Sequence, residues 1–416
     1  MLEFLKIALR NLLRHKRRSV LTGIALLTGA FALTFGGAYG DGIERQLIAA
    51  TIAGDTGHIT ITTRTSKKTE QDELVSHITK WKEQLIAHPG QIAARIVRLP
   101  NVLKVCRRVN MNGMISNGQK LDSVYFIGVE PEKERDLFQN VIPRDRGRIL
   151  HSAAGFPAIY ISHTVAQKYH VSPGDVLTAM AQTVGGSANT MDLTVQGVFK
   201  KGALWRENFA YLRLQDAQQL AQLGEGVTQF KIILKEAEHA KASAASLRKT
   251  LVAYRLSVKD WEEAGKLFLG VVLINRIAVD ILCLVLFIVS MTGIINTMLM
   301  AVHERTREIG AMLALGTKRR QIVGLFVTEA ALLGLGAAGV GTGGAVILTL
   351  WLGRVGIPAF NEAMSYMYGS SRTFPYLTAA HAAGAYLLIV ALATAAAFYP
   401  AFAAARLKPA EAIKQV

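Results

Sequence analysis

One short segment combines charged and apolar side chains in a pattern suited to binding another protein. Four charged residues come first, and four apolar residues follow them at helical spacing. The charged residues are Glu304, Arg305, Arg307 and Glu308, and the apolar ones are Ile309, Met312, Leu313 and Leu315. Gly316 then stands where a glycine commonly ends a helix. The pattern predicts a short amphipathic helix that docks into a groove of a soluble partner; the alternative is an ordinary charged loop.

Two acidic residues stand at the edges of apolar stretches. Asp280 comes just before one stretch and Glu329 just before another. Acidic side chains within a membrane are costly and are therefore candidates for function. Arg276 precedes Asp280 by four residues, so a local ion pair on one helix is the simpler interpretation. Glu329 is expected to contact an arginine or lysine of the charged segment before it.

The sequence contains no recognisable set of catalytic or metal-binding residues. It has no G-x-x-x-x-G-K-[ST] motif, so ATP is not expected to bind through a P-loop. Residues 334–339 match G-x-G-x-x-G but lie inside an apolar stretch, where with Gly341, Gly343 and Gly344 they predict a small-residue surface for helix packing. The ten histidines and two cysteines show no metal-ligand spacing. Cys106 is predicted to be a buried strand residue rather than a reactive thiol.

The elements that position these residues differ sharply in composition. Of 416 residues, 51% are hydrophobic and 19% are charged, with a net charge of +17 and a mean hydropathy of +0.28. Residues 41–265 hold 52 charged side chains in 225 positions, whereas the other 191 positions hold 25. This composition excludes a disordered chain and a disulfide scaffold. It predicts a soluble-looking block within a membrane protein.

Four stretches without Lys, Arg, Asp or Glu are long enough to cross a bilayer. They are residues 20–39, 281–302, 330–353 and 377–405. Basic residues concentrate before the first stretch, between the second and third, and after the fourth. The positive-inside rule therefore places both termini in the cytoplasm and residues 41–265 outside. The excess charge is attributed to topology and anionic membrane lipids, because no nucleic-acid-binding motif accompanies it.

The outer block alternates between strand and helix patterns. Strands are predicted over 57–63, 102–110, 121–129, 158–162, 175–182, 191–199, 208–214, 227–234 and 254–258. Helices are predicted over 91–99 and 235–253, with short ones after Ser162 and Gln215. The block therefore reads as an α/β piece with a β-rich insertion. Residues 261–302 would form one long helix, with a break near Gly265 or Gly270 as the alternative, and residues 2–14 an interfacial helix.

Three segments together resemble a known family. They are ERTREIGAMLALGTKRRQI (304–322), LKIALRNLLRHKRRSVLTG near the start and YPAFAAARLKPAEAIK near the end. The combination is similar to the signature of FtsX-like, MacB-type ABC transporter permeases. Further pieces resemble the lipoprotein-releasing permeases of the LolC and LolE type. These pieces are FIGVEP (126–131), VQGVFKKG (195–202), AYLRLQDAQQL (210–220), the Gly174-Asp175 turn and Trp261.

The resemblance implies an α-helical membrane protein with four transmembrane helices and a large α+β extracytoplasmic domain between helices 1 and 2. The expected divisions are an interfacial helix and helix 1 (1–40), a MacB-like periplasmic core domain (41–265), a stalk and helix 2 (266–302), a cytoplasmic coupling helix (303–320), helix 3 (321–353), a short periplasmic loop (354–376), helix 4 (377–405) and a cytoplasmic tail (406–416). The expected location is the bacterial inner membrane.

The resemblance also implies partners. A homodimer or heterodimer of permeases would carry two copies of a separate ABC ATPase subunit, which alone would bind ATP and Mg; this chain would have no cofactor and no catalytic residue. The coupling helix would touch the ATPase, and its movement would be relayed outward, a process called mechanotransmission. The matching positions are Glu304, Arg305, Arg307, Glu308, Ile309, Gly310, Leu313, Leu315 and Gly316, with Asp280 and Glu329 as membrane relay candidates.

Three functions are compatible with this resemblance. The first is extraction of lipoproteins from the inner membrane for transfer to a periplasmic carrier and sorting to the outer membrane. The second is MacB-like efflux or export with a periplasmic adaptor, although this chain has no fused ATPase domain. The third is FtsX-like regulation of a periplasmic hydrolase. A membrane-anchored enzyme, from a different class, is disfavoured because no catalytic set is recognisable.

Overall fold

The computed structural model describes residues 8, 10, 16–64, 84–151, 155–200, 208–359 and 372–408. The chain divides into two compact units. A helical unit comprises Met1–Glu44, Val272–Ile357 and Thr373–Val416, and an α/β unit comprises Arg45–Val271 and Pro358–Arg372. The interfacial helix predicted over 2–14 lies outside the described residues, apart from Ala8 and Arg10.

Long apolar helices dominate the helical unit. In chain order, the α-helices that the structure describes are α1 (Lys16–Thr51), α2 (Pro89–Val97), α3 (His163–Tyr169), α4 (Leu214–Ala221), α5 (Ala240–Thr250), α6 (Trp261–Ala264), α7 (Lys266–Glu304), α8 (Thr306–Ala314), α9 (Arg319–Val355) and α10 (Ala379–Ala405). Four of them, α1, α7, α9 and α10, are long and apolar enough to cross a membrane. The prediction of four transmembrane helices is therefore confirmed.

Small residues bring three of these helices close together. A Cβ on Gly341 of α9 would collide with the carbonyl oxygen of Leu27 in α1, and a Cβ on Gly334 would lie 3.1 Å from the Cβ of Ala393 in α10. Close backbone approach of this kind is how helices associate where lipid removes the hydrophobic driving force. The small-residue surface predicted around 334–341 is thus a helix contact.

The α/β unit is built on one ten-stranded sheet. The strands are β1 (Ile59–Thr63), β2 (Val102–Ser116), β3 (Leu121–Val129), β4 (Arg144–Gly147), β5 (Ala158–Ser162), β6 (Val176–Gln182), β7 (Ala188–Phe199), β8 (Phe209–Arg213), β9 (Gln229–Leu234) and β10 (Leu256–Asp260), while β11 (Ile357–Pro358) and β12 (Arg372–Thr373) pair separately. All nine strands predicted from the sequence are confirmed, and β4 was missed.

Strand β2 joins two parts of this sheet. Its first half pairs antiparallel with β9, and β1 lies between β9 and β10. Its second half pairs with β3 on one side and β6 on the other. The pairings from β2 through β3, β8, β5, β7 and β6 return to β2 and close a ring. This ring is the predicted β-rich insertion.

Two buried clusters fill the α/β unit. The larger one packs α2, α4 and α5 against the sheet around Val109, Phe126 and Phe230. The smaller one is aromatic, with edge-to-face contacts of Phe138 with Tyr160 at 5.7 Å and of Phe199 with Tyr211 at 5.9 Å between ring centroids. Such edge contacts fix ring orientation as well as bury apolar area.

The helix predicted over 261–302 is interrupted, as the alternative near Gly265 anticipated. α6 ends at Ala264, Gly265 follows with backbone φ and ψ of −95° and 18°, and α7 begins at Lys266. The N–H of Gly265 still donates to the carbonyl oxygen of Trp261 at 2.9 Å, so the two helices are separated by a tight joint rather than a loop. The expectation of one unbroken rod from Trp261 is therefore wrong.

Candidate functional site

The charged segment between the second and third apolar helices folds as a separate short helix. α7 ends at Glu304, Arg305 has non-helical angles of −107° and 14°, and α8 begins at Thr306. The hydroxyl of Thr306 donates to the carbonyl oxygens of Val302 at 3.0 Å and of His303 at 2.9 Å. These bonds satisfy carbonyls that the end of a helix leaves unpaired, so the sharp junction between α7 and α8 is fixed locally.

Gly316 ends α8 as predicted. Its φ of +92° lies in the left-handed region that favours glycine. The N–H of Thr317 donates to Met312 at 3.0 Å and that of Gly316 to Leu313 at 3.1 Å, which is the paired bonding of a Schellman motif. Lys318 then precedes α9 as its N-cap residue, and its N–H donates to the side chain of Gln321 at 2.9 Å. Both ends of α8 are therefore held by specific hydrogen bonds.

One face of α8 is buried against the helical unit. Ile309 is 1% exposed and belongs to the same buried cluster as Ala401 and Ala404 of α10. Arg305 is 6% exposed, and its Nη1 lies 3.5 Å from Oε2 of the fully buried Glu329 in α9. The expected contact between Glu329 and a basic residue of the charged segment is confirmed. This contact and the apolar packing join α8 to the ends of two spanning helices.

The opposite face of α8 is open. Of the predicted site residues, Glu304, Arg307, Glu308, Leu315 and Gly316 are exposed, Leu313 is half-buried, and Arg305, Ile309 and Gly310 are buried. Leu315 is 88% exposed, whereas Leu313 packs against the buried cluster. The structure therefore separates the predicted residues into an exposed face and a buried face. Two exposed residues that sequence reasoning missed, Ala311 and Ala314, complete the open face.

The helical period alone could have identified this division. Positions 307, 308, 311 and 315 recur at intervals of one to four residues and so lie on one side of α8, whereas Glu304 is the last residue of α7. The charges drew attention to Arg305 as well, although it lies on the other side and turns inward to Glu329. The open face therefore presents charges in its first turn and a small apolar surface after them.

Asp280 is not paired as expected. Arg276 places its Nη1 3.1 Å from Oε2 of Glu44, a residue of α1, instead of bonding to Asp280 one turn along its own helix. A contact between neighbouring helices replaces the local i,i+4 pair because the long arginine side chain reaches across to α1. The predicted Arg276–Asp280 pair is therefore wrong, and Asp280 is exposed.

Comparison with protein families gives two matches along the chain. Residues 19–250 match the family described as MacB-like periplasmic core domain. Residues 281–409 match the family described as FtsX-like permease C-terminal. The first match covers α1 and most of the α/β unit, and the second covers α8 and the two spanning helices that follow it.

Individual relatives agree with these matches. The chain is 24% identical over 361 residues to the lipoprotein-releasing system transmembrane protein LolC of Xylella fastidiosa, covering 82% of this chain and 85% of the relative. It is 22% identical over 325 residues to LolC of Neisseria meningitidis, covering 75% and 78%. It is 38% identical over 121 residues to the macrolide export ATP-binding/permease protein MacB of Nitrobacter winogradskyi, covering 29% of this chain and 16% of that protein.

Proposed function

This chain belongs to the ABC transporter permeases that join a MacB-like periplasmic core domain to an FtsX-like C-terminal region, and from that premise we propose that it couples ATP hydrolysis on a separate ATPase subunit to the release of lipoproteins from the inner membrane. It is a multi-pass inner-membrane protein with a periplasmic domain. In this proposal both of its termini lie in the cytoplasm, which the distribution of basic residues supports.

The geometry of α8 is the observation that carries this proposal. Its inner face is anchored by Ile309, next to the buried Arg305, and its outer face exposes the charges of Arg307 and Glu308 in the first turn and Leu315 about two turns later. An exposed leucine on the same side of a short helix as charged groups suits docking into a groove of a soluble protein. Because the anchored face contacts α9 and α10, a push on α8 is transferred to spanning helices rather than absorbed by a loop.

The ATPase subunit supplies the nucleotide chemistry in this proposal. Two copies of it bind ATP and Mg, one beneath each permease of a homodimer or heterodimer. Closure of the two copies moves α8, and the movement reaches the α/β unit by mechanotransmission. A periplasmic carrier then accepts the released lipoprotein.

Lipoprotein cargo is supported by the LolC relatives, which align along three quarters or more of this chain. A second candidate, export with a periplasmic adaptor, is supported by the higher identity to the macrolide exporter over 121 residues. That shorter alignment covers less than a third of the chain, so lipoprotein release is favoured.

Depletion of the chain in the bacterium that carries it tests the choice of cargo. Inner and outer membranes are separated by density, and their lipoproteins are quantified after depletion and after complementation with the wild type or with Glu308→Lys. Accumulation of lipoproteins in the inner membrane, reversed only by the wild type, is expected. Unchanged lipoprotein distribution together with increased sensitivity to exported compounds would favour the second candidate.

A further inference from the structure

Three charged side chains are buried together in the α/β unit, and none of them was predicted from the sequence to be a site residue. Arg108 of β2, Glu134 after β3 and Lys231 of β9 are 1%, 3% and 3% exposed. Nε of Arg108 donates to Oε1 of Glu134 at 2.9 Å, and Nζ of Lys231 donates to Oε2 of the same carboxylate at 2.9 Å. We call these three residues the buried triad.

The buried triad binds the end of α1. After Thr51 the chain continues as a π-helical turn, Ile52–Thr56. Nη1 of Arg108 donates to the carbonyl oxygen of Gly54 at 2.7 Å, and Nζ of Lys231 donates to the carbonyl oxygen of Ala53. Carbonyls at a helix C-terminus carry partial negative charge. Together with the negative charge of Asp55, which also acts on Arg108, they offset the second cation, for which the carboxylate of Glu134 alone is not sufficient.

The same turn is also seated in apolar surroundings. Ala50 and Ala53 pack against the aromatic cluster that contains Phe138, Tyr160 and Tyr211. Gln229, next to the triad on β9, donates its side-chain N–H to the carbonyl oxygen of Asp55 at 3.0 Å. Three successive carbonyls of the turn, from Ala53 to Asp55, are thus each bound by a side chain of the sheet.

Stability alone is a poor explanation for the triad. Desolvating three charges is costly, and replacing a buried ionic triad by apolar residues of similar volume is often neutral or stabilising. Apolar contacts are non-directional, so they would hold the turn against the sheet without fixing where it lies. Charged hydrogen bonds to specified carbonyls fix both its position and its direction.

We infer that Arg108, Glu134 and Lys231 are positioning residues that form a rigid joint between α1 and the sheet, through which movement of α1 displaces the α/β unit. The inference rests on the proposed function, because it requires ATP-driven movement of α1. α1 is one helix from Lys16 to Thr51, and the turn that the triad binds follows it directly. The joint therefore lies at the C-terminal end of α1, directly before the first strand of the sheet.

A triple apolar variant, Arg108→Met, Glu134→Leu and Lys231→Met, tests the joint. The matched control is Arg213→Met with Asp216→Leu, which removes a second buried pair, 2.6 Å apart, that bonds to the backbone of Phe156 and Ala158 instead of to α1. Each full-length chain is purified with its ATPase subunit. Amide hydrogen exchange is then compared with and without trapped ATP, and melting temperature and ATP turnover are recorded.

In the wild type and in the control, trapped ATP is expected to change exchange in both α8 and strands β1 and β10. In the triple variant the change in α8 should persist while the change in β1 and β10 is lost, at unchanged ATP turnover. A wild type without any ATP-dependent change in the α/β unit would refute the proposed mechanotransmission itself. A triple variant that responds like the wild type would refute the inference that the triad forms a joint, without contradicting the proposed function.

A single variant covers the case in which the triple variant fails to fold. Lys231→Met removes the bond to Ala53 but leaves Arg108 and Glu134 as a neutral, mutually bonded pair, so no unpaired charge is buried. It is expected to fold and to reduce the ATP-dependent exchange change in β1 and β10 relative to the wild type. Full retention of that change would overturn the inference.

Discussion

At the scale of single residues, burial decides what a side chain can do chemically. Cys106 lies on β2 opposite Lys231, is 1% exposed, and is influenced by the charges of all three residues of the buried triad. Burial and, secondly, the negative charge of Glu134 raise the pKa of its thiol to about 12. Because the thiolate is the reactive form, Cys106 is expected to be inert, in agreement with the buried strand residue predicted from the sequence.

Maleimide labelling checks this expectation. At pH 8, a pKa about three units above the ordinary value lowers the thiolate fraction roughly 1000-fold. In a Cys283→Ser background, Cys106 should therefore stay unmodified in the folded protein and react after denaturation. The exposed position of Lys120→Cys provides the positive control. Labelling of native Cys106 as fast as the control would show that β2 is open to solvent.

Glu134 makes the stability of the α/β unit sensitive to acid. Burial by itself would raise the pKa of its carboxyl, but Arg108 and Lys231 outweigh burial and lower it to about 2. A lowered carboxyl pKa contributes stability above its unfolded value, near 4.5, and the contribution is lost as pH falls toward 2. The contribution is of the order of 3 kcal/mol.

The melting temperature of the wild type should therefore fall more steeply between pH 4.5 and pH 2.5 than that of the triple apolar variant. Other carboxylates with lowered pKa, such as Glu130 and Asp145, are present in both proteins and cancel in the comparison. Thermal unfolding monitored by circular dichroism measures the difference. Parallel pH profiles would mean that Glu134 is not held ionised by the triad.

The sequence contained a hint of the triad but not its geometry. Lys231 is a charged residue among apolar ones in the strand QFKIIL, and Arg108 is a charged residue within the predicted strand segment VCRRVN. Their meeting depends on the pairing of β2 with β9, across more than 120 positions of chain. Periodicity reports which residues share a face of one element, whereas the neighbour of that element is set by tertiary packing.

At the scale of elements, α8 has one exposed and one buried face, and the proposed function assigns docking of the ATPase subunit to the exposed face. Leu315→Ala should weaken co-purification of the ATPase subunit about tenfold, equivalent to ~1.4 kcal/mol, because an apolar anchor dominates docking of a helix into a groove. Its melting temperature should match the wild type, since Leu315 is 88% exposed. The matched control is Leu387→Ala, a 63% exposed leucine on α10, which should leave co-purification unchanged.

For the inner face of α8 the opposite result is expected. Ile309 is 1% exposed, so Ile309→Ala leaves a cavity and should lower the melting temperature of the helical unit. Co-purification of the ATPase subunit per folded chain should change little. If Leu315→Ala left binding intact while Ile309→Ala abolished it in a stably folded protein, the assignment of the two faces would be reversed.

Most elements were predictable because their patterns are local. The spanning helices follow from long charge-free stretches, and nine strands follow from alternation and turn residues. β4 was missed because its sequence, RDRG, has no apolar residue and pairs only with the end of β7. The π-helical turn after α1 was missed because its geometry is tied to side chains of two distant strands.

At the scale of the whole molecule, topology is the first property to test. Residues 41–265 are expected in the periplasm and α8 in the cytoplasm. A membrane-impermeant maleimide should label Lys120→Cys in intact spheroplasts and Ala314→Cys only after lysis, since both positions are exposed. The native Cys106 and Cys283 are buried and give a low background. The reverse labelling pattern would invert the topology.

The closed ring of strands is a feature of the whole molecule that could not be predicted from the sequence. The sequence indicated a β-rich insertion, but ring closure depends on β6 pairing with both β2 and β7. The division into an apolar helical unit and a more charged α/β unit was easier to predict, because 52 of the chain's charged side chains lie in residues 41–265. Composition thus indicates which segments face water and which face lipid, whereas the order of the strands is known only from the three-dimensional structure.

Reconstitution with purified partners tests the central claim most directly. The chain, any second permease of the complex and the ATPase subunit are placed in proteoliposomes with a lipoprotein, and ATP turnover and lipoprotein release to a carrier are measured together. Release is expected only when the permease, the ATPase subunit and ATP are all present, and the chain alone should hydrolyse no ATP. Turnover by the rigorously purified chain, or release that is indifferent to the ATPase subunit, would contradict the account.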